Sequence, residues 1–218
     1  MDKITFLQKR RVAFTLAEVL VTLGIIGVVS AMTVPTLMQN HQRKVYVTQL
    51  HKVYNEMQQA AINLMNDRNA VNLTEAGINS TATARTLITN NFNIIQTCTN
   101  SLTPCFADAY KFVDGTNYDI SAHIATSYSL SSGAAVRMLY SKENNNKIVN
   151  ILVDINGSQG PNIIGRDAFY MALYNNGTID TYNGSATSLP LTEEQREGAG
   201  SEWGPFGRIL NDNWEMNY

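Results

Sequence analysis

Glu18 is the first residue whose type and place raise a chemical question. It is the single charged side chain between Arg11 and His41, and the run Val19–Met38 that follows holds 20 uncharged residues, enough to span a bilayer core as a helix. A carboxylate in such a segment costs about 2.5–3.5 kcal/mol on insertion scales, so its presence points to a function. Cys98 and Cys105, the only cysteines, bracket the short turn-forming segment 99–104. In an exported domain two cysteines this close are most simply a disulfide; a metal centre would need a histidine or a third thiol beside them. Asp154, Asn156 and Ser158 place side-chain oxygens at alternate positions, and Asp167 stands where it would close a shell. That pattern has two readings, a calcium loop or a Gly/Pro/Asn-built turn whose side chains cap its own backbone. The glycine and terminal glutamate of an EF-hand are missing, which favours the self-capped turn. His41 and His51 fall on an expected helix, and His123 has no nucleophile or acid in a known arrangement beside it. Gly157-Ser158-Gln159-Gly160 is not followed by the Lys-Ser/Thr of a phosphate loop. These residues predict no enzyme, and no cofactor beyond the calcium alternative.

The elements that position these groups begin with a basic flank. Lys3, Lys9, Arg10 and Arg11 stand against Asp2 in residues 1–13, which marks the cytoplasmic side of the apolar run. The start admits a secretory signal cut after Ala31, or an uncut membrane anchor. Pro35 lacks a backbone donor and is expected to kink or locally melt the helix. Beyond it, Leu50, Val53, Met57, Ala60 or Ala61, and Leu64 recur at three and four, the mark of an amphipathic helix. A helix of about 50 residues is roughly 75–80 Å long, too long for a domain of this size to cover. Its first half must bury its apolar surface elsewhere, in lipid and then against other copies.

Ala13-Phe14-Thr15-Leu16-Ala17-Glu18-Val19-Leu20 resembles the class III leader junction of type IV pilins and type II secretion pseudopilins. The resemblance implies cleavage by a prepilin peptidase between Ala13 and Phe14, N-methylation of Phe14, an assembly role for Glu18, and a helix-kinking role for Pro35. The family usually has glycine before the cut, where this chain has Ala13. The resemblance further implies an inner-membrane subunit that joins other copies and related pilins in a filament through an assembly platform, with its head periplasmic or extracellular. Segment 154–167 is similar to the loop after the central strand of many such proteins.

The chain has 16 basic and 18 acidic residues; losing the four basic and one acidic residue of 1–13 leaves 12 against 17, a net charge of −5. That argues against nucleic-acid binding. His41-Gln42-Arg43-Lys44 is the only basic patch, and it marks a membrane boundary more simply. In the remainder, residues 84–95 read as a short amphipathic helix, and 134–140, 147–155 and 168–174 as strands. Asn175-Asn176-Gly177 signals a hairpin into 178–182, and the tail from Phe206 is read as pairing at a sheet edge. The expected organisation is a leader (1–13), a membrane or filament-core helix (14–38), its amphipathic continuation (39–67) and a head (68–218). The expected fold class is α+β, a long N-terminal helix packed on an antiparallel sheet. The function that follows is a structural filament subunit of a pilus or pseudopilus. The competing readings are a membrane-anchored binding or enzymatic domain, and a minor pilin of DNA uptake.

Overall fold

A continuous apolar run followed by an apolar stripe at helical spacing forms α1 (Leu16–Asp67), one helix of 52 residues that continues through Pro35. The computed structural model describes residues 14–120, 125–143, 146–186 and 188–218. The chain divides into two units, Met1–Gln42 and Arg43–Tyr218.

Within the second unit, α1 buries Tyr46, Val47, Leu50, Val53, Met57, Ala60 and Ala61, a stripe at helical spacing. α2 (Thr81–Asn91) starts at a capping box: the Ser80 hydroxyl accepts from the Thr83 N–H, and the Thr83 side chain bonds back to the cap N–H. Ile94 and Ile95, read from sequence as part of this helix, belong instead to strand β1 (Ile94–Cys98). The helix stops where Phe92 takes an extended backbone.

The remaining strands are β2 (Tyr110–Phe112), β3 (Asn117–Tyr118), β4 (Ser127–Leu130), β5 (Ala135–Tyr140), β6 (Lys147–Asp154), β7 (Ile163–Ile164), β8 (Ala168–Tyr174) and β9 (Ile179–Asp180). Their order is β1-β4-β5-β6-β8-β7-β2-β3, with β9 also on β8. The expected antiparallel sheet is corrected here to a mixed one, because β7 pairs in parallel with both β2 and β8. β7 is two residues long and takes its partner from a distant segment, so no local periodicity announces it. β6 and β8 are buried on both faces. Val149, Ile151 and Val153 with Phe169, Met171 and Leu173 join the α1 stripe in one core. Ala135, Leu152 and Tyr170 face a second cluster with Cys98, Cys105, Phe106 and Tyr110.

The Asn-Gly hairpin is present: Gly177 takes φ 85°, and the Tyr174 N–H donates to the Thr178 carbonyl at 2.9 Å. The tail corrects the sequence expectation. Two helices stand there, α3 (Glu193–Glu197) and α4 (Gly200–Asn211). Phe206 and Ile209, both fully buried, recur at helical rather than strand spacing. Gly207 lets α4 approach closely, since an added Cβ would meet the Arg196 carbonyl oxygen and Cβ at 2.8 Å.

Candidate functional site

A closed ring of hydrogen bonds starts α1. The Glu18 N–H donates to Thr15 Oγ1 at 3.2 Å, while the Thr15 N–H and hydroxyl both donate to Glu18 Oε2 at 2.8 Å. This is a capping box, with Thr15 as cap and Glu18 three residues on. It also sets a carboxylate at the positive end of the helix dipole. Thr15-Leu16-Ala17-Glu18 carries that signature in plain sequence, and reading Glu18 only as the anionic partner of an ion pair misses it. Phe14 stands ahead of the cap and is 82% exposed. Ala13, the other residue of the expected cleavage junction, lies outside the described residues, as do residues 1–12 and His123.

Every residue from 14 to 42 is exposed, including Leu20, Leu23, Ile25, Ile26 and Val29. Among the described residues, α1 is one helix long and apolar enough to cross a membrane. An uncovered apolar face of this extent marks a surface that meets lipid or protein. Pro35 cannot donate to the carbonyl one turn earlier. The hydroxyls of Thr22 and Thr33 donate to the Val19 and Val29 carbonyls, each at 3.0 Å, which keeps these polar groups bonded along the apolar run. An added Cβ at Gly24 or Gly27 meets nothing within 4 Å, so another helix has room to approach there.

Cys98 and Cys105 form a disulfide. Both are buried, and the bond fastens the end of β1 to the segment that leads into β2.

Segment 154–167 brings Asp154 and Asp167 together under full burial. The Tyr110 hydroxyl donates to Asp154 Oδ2 at 2.5 Å and the Asn156 N–H to Oδ1 at 3.1 Å. Asp167 accepts from the Asn162 N–H at 2.7 Å and the Ile163 N–H at 2.6 Å. The Asn156 side chain donates to the Gly160 carbonyl at 3.0 Å, and Ser158 is exposed. The Asp154 and Asp167 carboxylates thus cap the loop's own backbone, while the buried Oδ1 atoms of Asn156 and Asn162 have no hydrogen-bond partner among the described residues. No group of three or more His, Cys, Asp or Glu able to hold a metal occurs among the described residues. Burial pushes the Asp154 carboxyl up to about 8, against the hydrogen bonds from Tyr110 and the backbone, and the Asp167 charge adds to the rise. Burial raises Asp167 as well. Tyr110 rises far above the ordinary phenol range, through burial first and the Asp154 charge second.

The sequence gives no hint of two further anchors in the head. The Gln58 amide holds the β8–β9 turn at both ends, donating to the Gly177 carbonyl at 2.5 Å and accepting from the Ile179 N–H at 3.1 Å. Arg196 bridges Asp180 through two bonds of 2.9 Å. His51 stacks on Trp214 with ring centroids 3.9 Å apart. Comparison with known proteins returns no matching family model, curated protein or solved structure.

Proposed function

We propose that this chain is a structural subunit of a type IV pilus-like or type II secretion pseudopilus filament. The carrying observation is the apolar stretch 14–38, exposed throughout and opening on the Thr15–Glu18 cap. A buried core helix would show its apolar side chains covered; those of 14–38 are exposed among the described residues. The subunit inserts in the inner membrane with residues 1–13 cytoplasmic. A prepilin peptidase cuts after Ala13 and methylates the Phe14 amine. Glu18 of an incoming subunit then pairs with the Phe14 amine of a neighbour, which offsets the burial of both charges and fixes the axial register. In the isolated chain Glu18 accepts from the Thr15 N–H through Oε2, and a carboxylate has lone pairs on both oxygens with which to accept from the amine as well. Extraction from the membrane is driven by an assembly ATPase through the inner-membrane platform, and the head remains on the periplasmic or extracellular side.

N-terminal mass analysis of the protein from cells tests the reading. A chain that starts at methylated Phe14 is expected. A chain retaining residues 1–13 would make α1 a plain anchor, and one starting at residue 32 would make it a secretory signal.

A further inference from the structure

Beside the β8–β9 turn, a cleft of about 330 Å³ is lined by residues including Val71, Asn72, Asn146, Asn175, Asn176 and Leu189. Three of the asparagines spend their oxygens on the fold. Asn72 Oδ1 accepts from the Glu75 N–H at 2.9 Å. Asn175 Oδ1 accepts from the N–H and hydroxyl of Thr74 at 2.9 and 2.7 Å, and Asn176 Oδ1 from the Thr178 N–H at 3.1 Å. Those bonds decide which end of each amide is the oxygen. They leave the three Nδ2 groups as the unspent ends, and none donates to a protein acceptor among the described residues. Its described lining holds no Asp, Glu, Lys, Arg or His. Val71 adds an apolar surface that is 84% exposed.

The geometry points to this cleft as a binding site for a neutral N-acetylated saccharide. Amide NH2 groups ask for oxygen acceptors, which an acetamido carbonyl and ring hydroxyls supply. The acetamido methyl and the C–H face of the ring suit Val71 and Leu189. An anion would gain only neutral hydrogen bonds here, since no cation assists. The volume sits at the low end of small-molecule sites, the size for one or two sugar rings. This site goes beyond the filament reading and stands whether or not that reading holds.

The test is a titration of the full-length protein in detergent micelles with N,N′-diacetylchitobiose, followed by calorimetry. Saturation with a Kd of about 1 mM is expected, with cellobiose, which lacks the acetamido groups, weaker by about tenfold. Asn72→Asp with Asn176→Asp keeps each capping oxygen and replaces the donor with an acceptor. That pair should weaken chitobiose about tenfold or more while the melting temperature holds. Absence of saturation by about 10 mM, equal binding of cellobiose, tighter binding of galacturonate or of an extended peptide, or unchanged affinity in the double variant would each overturn the assignment. The cellobiose comparison needs no variant, so misfolding of the substituted protein leaves the test intact.

Discussion

Residues 16–42 and 43–67 belong to the same helix, yet they meet the burial problem in opposite ways. In the first stretch every side chain is exposed and the apolar residues go all round the helix. In the second, the apolar residues form a stripe, and Leu50, Met57 and Ala61 have no exposure at all. Secondary structure is therefore no guide to what a helix is for; the distribution of its apolar side chains is. A stripe asks for one covering surface, which the sheet supplies. An apolar cylinder asks for an environment on all sides.

The comparison breaks most visibly at Glu18. Glu18→Gln should leave insertion and cleavage unchanged and reduce filament yield by about tenfold or more, since an unpaired charge site in an assembled core costs several kcal/mol. Quantifying sheared filaments against total protein checks it, and normal yield and length would remove the pairing step. Next in size is a paired truncation. Leu50→Ala should destabilise the head by about 2–5 kcal/mol, whereas Leu23→Ala, at a residue 60% exposed, should change head unfolding by less than about 0.5 kcal/mol. Denaturant unfolding of both variants reads the contrast, and equal effects would show that the first stretch is covered after all.

A third contrast concerns pH. Burial pushes the folded Asp154 carboxyl up to about 8 from its ordinary 3.8, so over that range the folded head holds a proton that the unfolded chain releases. This stabilisation is fully present below about pH 4 and is lost as the pH rises through about 8. The melting temperature should therefore fall from pH 5 to pH 9, and Asp154→Asn should flatten the decline. The smallest effect is that of calcium. With the Asp154 and Asp167 oxygens already accepting N–H and O–H groups, millimolar calcium or a chelator should leave the melting temperature unmoved. A rise with calcium would show the loop opening to admit the ion.

Much of this was legible in the residues because it is local. The stripe from Leu50 to Leu64 marks α1, the apolar runs 147–155 and 168–174 mark the two central strands, and Asn176-Gly177 marks the hairpin. The two cysteines lie close enough in sequence for their pairing to be read directly. What escaped depends on partners far along the chain. β2 and β7 exist because they pair with each other, and neither three-residue nor two-residue strand has a period to detect. α4 hides behind Gly200, Gly204, Pro205 and Gly207, residues of low helix propensity, and only the spacing of Phe206 and Ile209 betrays it. Of the candidate groups, Glu18 stood out because a charge in an apolar run is conspicuous. Its bond to Thr15 escaped because the cap was masked by that more unusual feature. The burial of Asp154 and Asp167 also escaped, since alternating oxygens look alike whether they face an ion or their own backbone.

The margin of the sheet has a consequence for behaviour at high concentration. β1 is an outermost strand, its register slips between Ile94 and Gln96, and its last residue is tied down by Cys105. The opposite margin, β3, is only two residues long. A kinked border and a stub make poor templates for adding a foreign strand. Heads crowded side by side thus have little means of zipping into an amyloid-like ribbon, and the molecule resists the commonest hazard of a broad open sheet.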